Sequence, residues 1–203
     1  EADILLITST TLLPAFSDYI EFKESTGFIV NTITTNEIYA QYNGQDNPEK
    51  NRNCVIDYYQ NYGISFVILG GDSDTNNASD NIVPHRGLYA DPGSGYADDN
   101  IPADIYFAGL DGNWNDNDNN LWGEVGEADF YEEVAVGRIC ADQAIEITNH
   151  TYKLRMYQDE PVVTDIEKSL MVGEYLGFGG VSEYAANSKN EVAYGSVNNG
   201  YTT

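Results

Sequence analysis

Residues 65–74 read Ser65-Phe66-Val67-Ile68-Leu69-Gly70-Gly71-Asp72-Ser73-Asp74, and this stretch decides the fold. Four large apolar residues in a row, rich in β-branched and aromatic types, predict a strand buried on both faces. Gly70 and Gly71 predict a sharp turn, and Asp72 then sits at the strand's C-terminal end. In open α/β sheets, ligands and chemistry gather at that end.

Working outward, Asp3–Ser9 (DILLITS) predicts a second buried strand. Thr10 and Thr11 can cap a following helix, Pro14 suits its first turn, and Gly27 stops it. Phe28–Thr34 predicts a strand and Asn36–Tyr42 a short helical turn. Pro48–Tyr62 predicts a helix with Val55, Ile56, Tyr58, Tyr59 and Tyr62 as its apolar members and Gly63 as its stop. Strand and helix alternate up to Leu69, which argues for a parallel sheet with right-handed crossovers. Residues 73–131 break the pattern. They are rich in Asp, Asn and Gly and far longer than an ordinary connection, so they are either functional or held by something other than a core. Only Asp104–Ala108 reads as a short strand or an edge element there. Regular pattern returns with a strand at Glu133–Ile139 and a helix from Gln143, capped by Asp142, with Ile145, Thr148, Tyr152 and Met156 on one face. A fifth strand is expected at Lys168–Tyr175 and a helical stretch at Glu183–Val192. No linker marks a second domain, so residues 1–203 read as a single α/β domain.

Bulk charge narrows the function. Lys and Arg number 9 against 33 Asp and Glu, for a net charge of −24. Phosphate neutralisation and anionic membrane surfaces both require basic residues, so a nucleic-acid partner and a membrane-surface role are disfavoured. No stretch approaches the ~18–20 apolar residues of a membrane span. Acidity on this scale suits a soluble secreted protein, or the binding of hard divalent cations by oxygen ligands. Cys54 and Cys140 form no disulfide framework and fit no zinc spacing, so buried inert thiols are expected.

The most specific local feature is Asp111–Glu124, DGNWNDNDNNLWGE. Asp111, Asn113 and Asn115, then Asp116 and Asp118, offer oxygens at alternate positions. Such a run either wraps a calcium ion or forms a solvated series of Asx turns. It is not an EF-hand, because counting from Asn113 puts Glu124 twelfth but Asp118, rather than Gly, sixth. His85 follows the central strand and His150 lies mid-helix. Neither has an evident nucleophile partner. Glu174 ends the fifth strand, at the same sheet edge as Asp72. There is no P-loop or dinucleotide fingerprint, and a receiver domain's acidic pair and lysine are replaced by Ser9-Thr10 and Glu174. Asn77-Ala78-Ser79 and Asn149-His150-Thr151 match glycosylation sequons.

Taken in order, these motifs resemble the gingipain-type cysteine peptidases, relatives of the caspases. DILLITS followed by FKESTGF resembles that family's first strand and helix end. Thr35-Asn36-Glu37-Ile38 resembles the step after its second strand, and FVILGGDSD its central strand. The LDGNWNDNDNNLWGE loop, VAVGRI and KSLMVGEY complete the set across nearly the whole chain. The resemblance implies a caspase-like, Rossmann-like three-layer α/β sandwich with a mainly parallel sheet and a long acidic insertion. It implies a secreted or cell-surface endopeptidase acting on protein or peptide substrates through a His–Cys dyad, with the thiolate attacking the peptide carbonyl. That dyad is expected beyond Thr203, in a C-terminal half that would partner this one. Glu174 matches a carboxylate near the catalytic His, and Glu183 is a candidate for the specificity pocket. The family's calcium makes Asp111 and Glu133 the first ligand candidates, with Asn113, Asn115, Asp116, Asp118 and Glu124 behind them. The competing expectation is a non-catalytic, calcium-stabilised binding or structural module on the same scaffold.

Overall fold

The structure is a computed structural model. It describes residues 2–77, 79–93 and 95–166, with residues 170, 172–173, 189–190, 192 and 194 beyond them. The chain forms two compact units, Glu1–Arg155 and Met156–Thr203. In the second, the described elements include the short helix α5, Val163–Ile166. The expected fifth strand at Lys168–Tyr175, with Glu174, and the stretch Glu183–Val192 fall largely outside the described residues.

The first unit is built on four parallel strands: β1 (Ile4–Thr8), β2 (Val30–Thr34), β3 (Phe66–Gly70) and, after a two-stranded hairpin, β6 (Ala135–Ile139). Their order is β2-β1-β3-β6. In register, Leu6 lies beside Thr32 and Ile68, while Ile68 faces Gly137 on the far side. Side chains alternate between faces, so the sheet has two cores. Leu5, Ile7, Val67 and Leu69 pack with Ile38 of α2 (Thr35–Gln41) and Val55 of α3 (Asn47–Tyr62). Leu6 and Ile139 pack on the other face with Phe16, Tyr19 of α1 (Ser17–Ser25) and Ile147 of α4 (Ala144–Gln158). This is the expected three-layer, mainly parallel α/β fold.

Local chemistry explains the element ends. Thr34 and Glu37 form a reciprocal capping box that starts α2 directly after β2. Asp46 caps α3 through the amide of Glu49, and Gly63 ends it with φ +75°.

Several expectations need correction. β1, not β3, is the strand buried throughout; Phe66 at the start of β3 is 41% exposed. Gly70 and Gly71 serve close packing rather than a left-handed turn. A Cβ on Gly70 would lie 2.5 Å from the Phe16 ring, and one on Gly71 2.5 Å from Ile82. On α3 the inward positions are Asn51, Arg52, Cys54 and Val55, while Tyr59 and Tyr62 are exposed. On α4 the inward positions are Ile147 and Thr151, whereas Ile145 and Tyr152 are exposed. Periodicity predicted the helix but chose the wrong stripe, because Thr151 can be buried once its hydroxyl donates to the Ile147 carbonyl, 3.0 Å away.

The long acidic region is more ordered than its composition suggests. β4 (Arg86–Ala90) and β5 (Asp98–Ala103) form an antiparallel hairpin that pattern reading missed. The cluster Asp91-Pro92-Gly93 was the available turn signal. Asp104–Phe107 is a single 3₁₀ turn, not the expected strand. It carries Tyr106 and Phe107, which join Trp114 and Trp122 in the core shared with α3 and the sheet.

Candidate functional site

Three arginines hold the acidic region on the sheet. From α3, Arg52 donates to four backbone carbonyls: Gly109 (2.8 Å), Tyr106 (3.0 Å), Asp111 (3.0 Å) and Gly112 (3.2 Å). Its guanidinium is buried, and burial lowers its pKa against the opposing pull of Tyr106, Asp129 and Glu133. Arg86 on β4 pairs bidentately with Asp46 at 2.7 and 2.8 Å and lies 3.5 Å over the Trp122 ring. Arg138, the arginine of VAVGRI, forks onto Asp104 (2.7 and 2.7 Å). It also donates to the carbonyls of Val83 (2.6 Å) and Gly71 (2.8 Å). Asp72 serves the same end through its backbone: its amide donates to Ala141, and its carbonyl accepts from Ile82 and Val83.

Held in this way, segments 108–112 and 129–133 run side by side. The Glu133 amide donates to the Ala108 carbonyl (3.0 Å), and the Leu110 amide donates to the Glu133 carboxylate (2.5 Å). The Asp111 amide donates to the Asp129 carboxylate (3.2 Å). Gly109 permits the approach, since a Cβ there would come within 2.5 Å of the Asp129 carbonyl oxygen. The result is a cluster in which one carboxylate oxygen each from Asp111, Asp129 and Glu133 lie within 4.8 Å of one another. Asp111 is exposed and the other two half-buried. Three converging carboxylates are hard oxygen donors that repel one another, so the donor set fits a divalent cation of calcium type.

Of the sequence candidates, the fold brings Asp111 and Glu133 together and adds Asp129, which sequence reading missed. Its only available signal was position, four residues before Glu133 in an acidic run. Asp116, Asp118 and Glu124 lie outside that carboxylate cluster, and Asn113, Asn115 and Glu124 accept hydrogen bonds within the loop. Asn113 caps the Asn115 amide (2.8 Å), the buried Asn115 accepts from the Asn120 amide (3.3 Å), and Glu124 accepts from the side-chain amides of Asn117 (3.0 Å) and Asn119 (2.7 Å). These bonds form a self-contained Asx-turn series, assisted by positive φ at Trp114, Asp118 and Asn120. Glu174 and Glu183 lie outside the described residues.

The chain's own thiols and imidazoles are placed as follows. Cys54 and Cys140 are free. Cys54 is buried, and burial pushes its thiol up to about 12, which keeps it protonated. Cys140 is exposed, contrary to expectation. His85 is 7% exposed, with Nδ1 3.0 Å from the Ser73 hydroxyl and 3.2 Å from its carbonyl. It therefore fastens the start of the acidic region. His150 lies half-buried on α4.

Comparison with known proteins follows from this fold. No curated protein sequence matches the chain. Among solved structures, the complex of Porphyromonas gingivalis RgpB pro- and mature domains aligns over 98% of this chain and 40% of that one, with 16% identity and a TM-score of 0.65. Dimeric latent PorU from the same organism aligns over 87% and 18%, with 14% identity and a TM-score of 0.60. The Arg-specific cysteine proteinase gingipain R aligns over 77% and 28%, with 16% identity and a TM-score of 0.52. The chain thus spans less than half the length of each of these proteins, and at such identities the likeness is one of fold. The sequence model of peptidase family C25 matches residues 1–202, and the chain belongs to that family.

Proposed function

We propose that this chain is the N-terminal part of the catalytic domain of a secreted or cell-surface cysteine endopeptidase. The observation that carries this reading is the family match over residues 1–202, joined to the β2-β1-β3-β6 parallel sheet. The expected chemistry is attack of a thiolate on the peptide carbonyl, with an imidazole moving the proton from thiol to leaving amine. The buried, protonated Cys54 does not suit that nucleophile, and in this reading the dyad lies beyond Thr203. Glu174 is assigned to orienting the imidazole, and Glu183 to the specificity pocket. The parent gene's sequence past Thr203, expressed with this chain, should cleave peptide libraries in a thiol-dependent manner, whereas residues 1–203 alone should not. Thiol-dependent cleavage by the 203-residue chain would overturn the assignment.

A structural calcium ion belongs to the same reading. Asp111, Asp129 and Glu133 would hold it, and its charge would offset their mutual repulsion, locking segment 108–112 to segment 129–133. EDTA should lower Tm and added calcium restore it, with Asp129→Asn abolishing the response. A melting curve indifferent to EDTA would remove the ion from the account.

A further inference from the structure

A concavity of about 940 Å³ opens between the β4–β5 hairpin and the loop 123–130. Its lining includes the apolar or aromatic side chains of Tyr89, Tyr96, Ile101, Val125 and Phe130. It is also lined by Asp91 and Asp98 on the hairpin side and Glu124 on the loop side, with no Lys, Arg or His among the described lining residues. Apolar surface left open there is large: Tyr96 is 75% exposed, Phe130 64%, and Val125 fully. Contiguous exposed apolar surface rimmed by polar groups marks an interaction site.

The walls are fixed before any ligand arrives. The Tyr89 amide donates to the Trp122 carbonyl (2.8 Å), and the Gly123 amide to the Trp114 carbonyl (2.7 Å), so hairpin and loop are one piece. Phe130 stands edge-on to the buried Trp114, with ring centroids 6.1 Å apart. The lining acids are fixed too. Asp91 caps the Gly93 amide, Asp98 caps the Asn100 amide, and Glu124 is gripped by Asn117 and Asn119. Carboxylates beside aromatic faces are what a guanidinium or ammonium with an apolar stem requires, combining charge pairing with cation–π contact. The volume lies at the upper end of the ~300–1,000 Å³ range of ligand pockets. It therefore exceeds what one side chain fills, and an open trough suits an extended segment.

We propose that this trough binds an extended peptide segment in which a Lys or Arg is flanked by large apolar side chains, the cation held between Asp91, Asp98 and Glu124 and its neighbours packed on Tyr96, Val125 and Phe130. The site goes beyond the peptidase reading and stands or falls without it.

The test uses the full 203-residue chain and fluorescein-labelled peptides Leu-Lys-Leu-Phe, Leu-Glu-Leu-Phe and Leu-norleucine-Leu-Phe, read by anisotropy. The lysine peptide should bind saturably, with the norleucine peptide weaker by about tenfold or more and the glutamate peptide silent. Val125→Arg is a fully exposed change that places a cation in the trough; it should abolish binding while leaving Tm unchanged. Phe130→Ala should weaken binding by about tenfold. The double variant Glu21→Gln, Glu24→Gln removes two charges from α1, outside the trough, and should bind like the parent. No saturable binding, equal binding of the three peptides, an inert Val125→Arg, or equal weakening by the α1 control (bulk attraction to a polyanion) would each overturn the proposal.

Discussion

The sheet and the acidic region contrast in how they are held. The sheet is fixed by apolar burial: Leu5, Leu6 and Ile7 of β1 are fully inaccessible and sit between two helical layers. The acidic region has one small aromatic nucleus of Tyr106, Phe107, Trp114 and Trp122. For the rest it depends on cationic side chains that grip its backbone. A chain of net charge −24 with few basic residues commits three arginines, Arg52, Arg86 and Arg138, to this task. A segment poor in apolar residues can thus be ordered when its carbonyls and carboxylates converge on buried guanidinium groups.

The contrast can be broken experimentally. The largest effect is expected from Arg52→Met, which strands four carbonyl acceptors: about 3–5 kcal/mol of protection lost. That loss should be local, with amides and thermolysin sites in 104–133 opening while β1 and β3 stay protected. Leu5→Ala should remove about 3 kcal/mol but from the whole unit at once, seen as a lower urea midpoint with β1, β3 and the acidic region opening together. Identical exchange patterns for the two variants would mean that the regions are one cooperative body.

Gly70→Ala tests the join between β3 and the Phe16 layer. Its Cβ must displace the Phe16 ring, so a loss of about 1–3 kcal/mol in urea unfolding is expected. A neutral result would show that the ring yields freely.

The smallest effect concerns α4. Burial, followed by the charges of Lys153 and Lys23, lowers the pKa of His150 below its ordinary 6.5. The unfolded chain then binds the extra proton more readily, so this contribution is intact above 6.5 and is lost as pH falls towards and through the depressed folded value. Between pH 7 and 5, Tm should fall more steeply for the parent than for His150→Gln. Parallel slopes would remove His150 from the pH response.

The order of the parallel strands and the helices between them was legible in the sequence, because DILLITS, FVILGG and VAVGRI are largely apolar runs, and Pro48 and Gly63 bracket α3. The family resemblance was legible for the same reason. Helix faces were less so: Arg52 and Asn51 occupy inward positions that hydropathy assigns to tyrosines. The candidate ligands divided likewise. Alternating oxygens in 111–118 suit an ion or a series of Asx turns, and the Asn113 and Asn115 side chains accept from backbone amides in such turns.

By itself, the sequence determined the strand–helix alternation, the acidity that disfavours nucleic acid, and membership of a peptidase family. The first two rest on local pattern and composition and the third on motifs that match a known family in order, and none of these needs a tertiary partner to be read. Only the tertiary structure decided that Asp129 joins Asp111 and Glu133, that Gly70 is there for Phe16, and that a trough lined by apolar and acidic side chains opens beside the hairpin. Each depends on segments distant along the chain being brought together: apolar packing on the sheet brings Phe16 to Gly70, and Arg52, Arg86 and Arg138, set against backbone and aromatic rings, hold the acidic region in place.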